Sequence, residues 1–338
     1  MGLRHHIRAM TIVIAAAMMA GTGVSAEPTK IRVGWAVAGG DAPLQQLGDK
    51  GTARHAGKSY VLDLIHFNGT TPMITALASG DLDVTSMSGP PLALAIENAH
   101  LTDLRIIADI FQDGVGQGFS NTYFVLKDGP VRTIEDVKGK VAAVNVIGGA
   151  VDIGFRAMLR KHGLEEKRDY TLIESAFPNM KAVLFGHKAD IIGEVTPFAF
   201  DPELLAKARP LFQLKDVIGA SQLIVMVARK GFIERNRPAL TDFLEDNLRT
   251  IAWYRDPAHH DEAVKTLADF TKTPAAVWQS WAFTPVDAYR DPAGKPNLDS
   301  FARSIALAHD MGFIPAAIDP RRYADLSLVE VAATRLKN

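Results

Sequence analysis

The sequence contains no cysteine. That excludes disulfides, zinc–thiolate centres, iron–sulfur clusters and a thiol nucleophile together. A basic excess is missing too: 37 lysines and arginines stand against 38 aspartates and glutamates over 338 residues, a net charge of −1. Nucleic-acid binders carry the opposite balance. Beyond the N-terminal leader no apolar run approaches the roughly 20 residues that span a bilayer. There is no low-complexity linker, and no internal repeat with a period of about 20–50 residues. Catalytic motifs are absent as well, with no Gly-x-Ser-x-Gly elbow and no His-Glu-x-x-His pair. His259 and His260 are adjacent, so a helix points them in different directions, which is poor geometry for one metal; they read as a polar loop. Glu165-Glu166-Lys167-Arg168 reads as another polar loop, and Trp278 and Trp281, three apart, as core packing on one helical face. The expectation is a chain without cofactor or metal that is not an enzyme.

What is present begins with a leader. Arg4, His5, His6 and Arg8 form a basic stretch, residues 9–20 are almost wholly apolar and small, and Val24-Ser25-Ala26 supplies the small residues of a cleavage site. This is the anatomy of a secretory signal peptide, so residues 1–26 are expected to be removed before Glu27 and the mature chain to be exported and soluble. The leader holds Arg4 and Arg8 and no acid, which leaves 35 basic against 38 acidic residues, a net charge of −3. The remaining length suggests two domains at roughly 100–200 residues each.

The mature sequence alternates strand and helix patterns. Strands are predicted at residues 31–36, 60–67, 82–87 and 104–111, with helices after Asn68-Gly69 (Thr70 or Thr71 as N-cap, Gly80 as stop) and at 91–99. The rhythm restarts with strands at 122–126, 141–146, 170–174, 190–194 and 223–228. Thr133 is read as the cap of a short helix to Val137, and longer helices are read at 150–162 and 179–185. From Pro238 the chain reads as helices at 238–254, 260–271, 274–281 and 298–311. This is an α/β protein with mainly parallel sheets covered by helices. Without a flexible joint, the two lobes are expected to be linked by two crossings, near residues 111–122 and 219–227. Lobe one then holds residues 27–115 and returns at 223–338, lobe two holds 116–222, and a hinged cleft lies between them.

Residues 73–84, Met-Ile-Thr-Ala-Leu-Ala-Ser-Gly-Asp-Leu-Asp-Val, resemble the ALxxGxxDV signature of ABC-transporter substrate-binding proteins for nitrate, sulfonates, taurine and thiamine precursors. Val125-Leu126-Lys127-Asp128 with residues 133–141 is similar to that family's strand and DLKGK turn. Gly148-Gly149-Ala150 stands at its small-residue ligand loop, and Pro197-Phe198 matches its proline–aromatic pair. The resemblance implies the type II periplasmic-binding-protein fold with venus-flytrap closure. It also implies a monomer in the periplasm that takes a small solute to an inner-membrane ABC permease. There are two departures: Ser88-Gly89-Pro90-Pro91 stands where relatives often carry a polar or acidic residue before the prolines, and Val195-Thr196 replaces the tryptophan-plus-acid pair that some sulfonate binders have before Pro197. Enzymes with this scaffold are the alternative, a pyrimidine synthase whose motif needs cysteine or a cytoplasmic dehydratase. A sensing module is a third reading.

Ligands of parallel α/β sheets sit beyond the carboxyl ends of strands, at helix N-termini. Four loops meet that condition. In Ile147-Gly148-Gly149-Ala150 two glycines admit close backbone approach and a helix start offers free N–H groups. In the loop that begins at Asn68, Thr70 and Thr71 offer hydroxyls for a carboxylate or another oxoanion, although one threonine is needed as a cap. Ser88 with Gly89, and Gly39, Gly40 with Asp41, are ligand loops or tight turns. Glu194 and Thr196 should face the cleft from lobe two, the acid favouring an amine or ring N–H. Phe177 and Phe198 are core aromatics or stacking partners for a ring. The ligand expected is a small organic solute with a carboxylate, sulfonate or similar anionic group.

Overall fold

The computed structural model describes residues 27–38, 40–47 and 51–337. The leader and its cleavage site lie outside the described residues, as does Gly39.

The first half of the chain runs β1 (Thr29–Trp35), α1 (Ala42–Gln46), β2 (Tyr60–His66), α2 (Met73–Ser79), β3 (Val84–Ser88), α3 (Gly89–Glu97) and β4 (Leu104–Asp113). It continues with β5 (Thr122–Leu126), β6 (Val141–Val144), α4 (Ala150–Lys161), β7 (Thr171–Glu174), α5 (Phe177–Phe185) and β8 (Ile191–Glu194). Then come α6 (Pro202–Lys207), β9 (Ala208–Gln213), α7 (Lys215–Ile218), β10 (Ser221–Arg229) and α8 (Lys230–Arg255). The chain ends with α9 (His260–Thr271), α10 (Leu298–Asp310) and α11 (Ser327–Arg335). None of the described helices is long and apolar enough to cross a membrane.

The strands form two five-stranded sheets, ordered β2-β1-β3-β10-β4 and β7-β6-β8-β5-β9. Each is parallel in one half, where βαβ crossovers put helices on both faces. One strand in each departs from the expected parallel arrangement. β10 runs antiparallel to β3 and β4, and β5 runs antiparallel to β8 and β9. Both are the first strand laid down after the chain changes sheet, so no crossover helix fixes their direction. The chain leaves the first sheet after Asp113 and returns to it at Ser221.

Alternation along each strand fills two cores per sheet. In the first, Met226 and Ala228 face Leu240, Phe243 and Leu244 of α8, while Val225 and Val227 face Leu92 of α3 and Phe301 of α10. In the second, Tyr123 and Val125 pack with Phe155 of α4, and Phe124 packs with Met180 and Leu184 of α5.

Several predicted elements take a different form. Residues 274–281 are not a regular helix but a single 3-10 turn, Ala275–Val277, followed by further turns. Trp278 and Trp281 are both fully buried there, so packing of the indoles decides the backbone path. The helix expected from Pro238 is present as the longer part of α8; non-helical dihedrals at Asn236 separate it from a short helix that begins at Lys230, so Pro238 stands near a helix start, where its missing N–H costs nothing. Neither Thr70 nor Thr71 caps α2; the Thr70 hydroxyl instead meets Ser88 Oγ at 3.1 Å. Thr133 does not cap the next turn either. Its N–H, with that of Arg132, donates to Asp136 Oδ2, and the turn is a 3-10 one.

Candidate functional site

A cleft of about 650 Å3, partly open to solvent, lies between the sheets. Its walls come from the carboxyl ends of the parallel strands, as topology requires. Ala36 and Val37 follow β1, Gly69 and Thr70 follow β2, and Ser88 ends β3. Opposite them, Asn145 and Val146 follow β6, Phe177 follows β7, and Val195 and Thr196 follow β8. Phe111 and Phe119 also line it. The lobes touch where Asn145 Nδ2, on the cleft wall, donates to Asn68 O at 3.2 Å, and elsewhere where Arg160 donates to Met311 O at 3.1 Å. Phe200 of the second lobe also stacks on Trp281 of the first, with centroids 4.7 Å apart.

Of the residues read from sequence, the structure brings Asp41, Thr70, Ser88, Gly149, Ala150 and Thr196 together in this cavity. Asn68 lines the neighbouring hollow. Gly40, Thr71, Ile147 and Gly148 are not on the wall. Gly89 borders a smaller apolar pocket, and a Cβ there would run into Ser304 Oγ of α10, so helix packing explains this glycine. Gly40 is explained the same way, because a Cβ would meet the Phe111 ring at 2.7 Å.

The glycine loop divides its labour. The N–H of Ile147 donates to Glu174 Oε1 (2.6 Å), and that of Gly148 to Asp152 Oδ2 (2.8 Å). Those donors are spent within the protein. Gly148 has φ +78, the left-handed region, whereas Gly149 is extended at φ −83 and ψ 171. The first N–H groups of α4, at Ala150, Val151 and Asp152, have no intrahelical acceptor. They are the donors a cleft ligand can use. α3 offers fewer, because two of its first three residues, Pro90 and Pro91, have no N–H.

No arginine, lysine or histidine is among the described residues that line the cavity. Its polar groups are hydroxyls and amides, with one acid, Asp41. The Asp41 carboxylate accepts from the N–H groups of Ala36 and Val37, both at 3.0 Å, and its second oxygen has no partner among the described residues. Burial pushes its pKa up to about 6. Ser86 Oγ and Asn145 Oδ1 are likewise buried without a partner.

Glu194 does not face the cleft as expected. It ends β8 opposite Thr122, 1 % exposed, and neither carboxyl oxygen has a hydrogen-bond partner among the described residues. Loss of solvent holds its pKa well above the usual carboxylate range. Burial also pushes Asp109 and Asp113 up to about 7. A carboxyl whose pKa is raised by folding stabilises the protein below its unfolded value near 4, and that stability is lost as pH rises through the folded value. Melting temperature is therefore expected to rise as pH falls from 8 to about 5, and Glu194→Gln to flatten the slope. Melts that were highest at pH 8 would contradict this assignment.

The residues that sequence reading passed over are Asn145, Asn121, Phe111 and Phe119. Asn145 stands at the end of a predicted strand, a position that could have marked it; the other three gain their place only when the crossing segment folds against the cleft.

Two α/β lobes closed on a cleft at the carboxyl ends of their strands define the periplasmic-binding-protein fold. Residues 24–268 match the profile of the NMT1-like family, and the chain belongs to that family. No curated protein matches the sequence. Among solved structures, the chain is similar to the alkanesulfonate-binding protein SsuA from Xanthomonas axonopodis pv. citri bound to MOPS, with TM-score 0.70 and 18 % identity over 89 % of this chain and 99 % of that one. The periplasmic nitrate-binding protein NrtA from Synechocystis PCC 6803 gives 0.72 and 15 %, over 92 % and 90 %. A desulfurization enzyme, DSZB, gives 0.62 and 16 %, over 91 % and 99 %.

Proposed function

We propose that the protein is the solute-binding component of an ABC importer. Exported to the periplasm, it captures a small organic anion in the interlobe cleft and presents it to an inner-membrane permease. The observation that carries this reading is the cavity itself. It is lined largely by apolar side chains, yet the free N–H groups at the start of α4 meet the Thr70, Ser88 and Thr196 hydroxyls and the Asn145 amide there. Such a set holds an anionic head by hydrogen bonds and a helix dipole without needing a cation. The apolar remainder suits a carbon skeleton rather than a bare inorganic ion. The Ser88 hydroxyl is bonded to Thr70 rather than to a base that would activate it. The two segments between the sheets, 114–121 and 214–220, serve as the hinge.

A thermal-shift panel of carboxylates and sulfonates, followed by mass spectrometry of the recovered solute, tests the proposal. A true ligand at 100 times its Kd adds about 2.7 kcal/mol of stability and is recovered unchanged. Recovery of a converted product would move the protein to the enzymes of this fold.

A further inference from the structure

The cleft does not end at the cavity just described. Past Ala36, Val37 and Phe177, which wall both, it opens into a wider hollow of about 1490 Å3 that is open to solvent. Aromatic rings dominate this vestibule, and they come from both lobes. From the first lobe, Trp35 lies 4.5 Å from His66 and 6.1 Å from Phe270, centroid to centroid. From the second, Phe177 and Phe198 stack at 6.2 Å with their planes 17° apart. Phe270 is 39 % exposed, a large ring left to water. Trp278 also forms part of the wall, and its indole N–H has no hydrogen-bond partner among the described residues.

The electrostatics of the hollow set it apart from the anion end. Its one acid, Asp201, is bonded to Lys181 Nζ at 2.7 Å and to the Leu204 N–H at 2.9 Å, so its charge is answered inside the second lobe. None of the described residues that line the vestibule is a lysine or arginine, and His66 Nε2 donates to Ala36 O at 3.2 Å. A second anionic group therefore finds no free cation here, whereas a flat apolar ring finds aromatic side chains of both lobes on the wall.

We propose that this vestibule is an aryl subsite, and that the solute is an organic anion carrying an aromatic ring: its head at the start of α4, its ring between the Trp35–Phe270 and Phe177–Phe198 pairs. The proposal rests on the reading of the inner cavity as an anion site. Because the two ring pairs belong to different lobes, a ring between them joins the lobes, so occupancy and closure are coupled.

The test is calorimetry with phenylalkyl carboxylates and sulfonates of one to four methylene groups, each against the straight-chain anion with the same head. The phenyl compound of the best length is expected to bind at least about tenfold tighter than its alkyl partner. Phe270→Ala and Phe198→Ala should each remove most of that advantage and leave alkyl affinity within about twofold. Indole emission should shift more with the phenyl compound than with its alkyl partner, and Trp35→Phe should reduce that difference, Trp278 supplying the remainder. Equal affinity for the phenyl and alkyl members, or variants that weaken both alike, would overturn the subsite and leave the anion pocket standing. Failure of every member of both series to bind would overturn the pocket reading and the subsite with it.

Discussion

Gly149→Val is expected to abolish solute binding and leave the protein folded. Position 149 has ordinary extended dihedrals that valine adopts freely, and its Cβ would lie 3.0 Å from Val146 Cγ1, a contact relieved by a shift of a few tenths of an ångström. The added methyls would stand on the cleft wall beside the N–H groups that begin α4. Losing two charge-assisted hydrogen bonds at about 1.5–3 kcal/mol each weakens binding by a hundredfold or more. Gly148→Ala is the contrasting control. It has room, with Leu94 Cδ1 at 4.0 Å the nearest neighbour, but its φ of +78 penalises a side chain by about 1 kcal/mol. It should therefore lower the melting point without changing affinity. Calorimetry and thermal melts on both variants separate the two jobs, and wild-type affinity in Gly149→Val would place the anion elsewhere.

The second large effect is on stability. Arg290 is 1 % exposed, and its guanidinium donates to Gly40 O at 2.9 Å and Ala288 O at 3.1 Å. It lies 3.5 Å from Asp287 and is the cation that Asp41 and Asp109 sense. Arg290→Ala leaves three buried carboxyls without it. Breaking such a pair costs about 3–5 kcal/mol, a drop in melting temperature of roughly 6–20 °C for lobes of this size. The loss should shrink at pH 5, where the carboxyls take up protons and no longer need a cation. Urea melts at pH 5 and pH 8 decide the matter; an equal loss at both would mean that Arg290 acts only through packing. Asp41 lies on the cleft wall while Gly40 O is held by this arginine, so the same group also stiffens the floor of the site.

Much of the architecture is legible from hydrophobic patterning, because both sheets are sandwiched between helices. Strands such as β2 and β5 are largely apolar runs, whereas β1 alternates Ile31, Val33 and Trp35 with Lys30, Arg32 and Gly34. β9 escaped notice for a physical reason: Ala208–Gln213 contains Arg209 and Pro210, which a central strand does not tolerate. It is an edge strand, where a missing N–H breaks no second ladder. α6 and α7 are too short for helical periodicity to register, and α11 follows a stretch of turns. The site was half legible. Thr70, Ser88, Gly149, Ala150 and Thr196 follow from the rule that ligands sit beyond strand ends. Glu194 misled because burial, rather than position along the strand, decided where its side chain went. The vestibule is legible only in part: Phe177 and Phe198 read as stacking partners for a ring, but Trp35 and Phe270 lie far from them in sequence and each alone resembles core.

The order in which the sheets are threaded has a kinetic side. All five strands of the second sheet lie in one stretch, Thr122 to Gln213, and need nothing that follows. The first sheet is incomplete until β10 is available, because Ser221–Arg229 is the bridge between β3 and β4. Its closure joins Ser88 to Ile224 across more than a hundred intervening residues. The entropy of closing such a loop grows only with the logarithm of its length, and a loop that has already condensed into a sheet with its two ends side by side is effectively much shorter. β5 and β9 are neighbours in that sheet, so Thr122 and Gln213 leave it together. A chain emerging N-terminus first thus gathers its middle before its beginning is finished, and the insertion carries the last strand back to the sheet it completes.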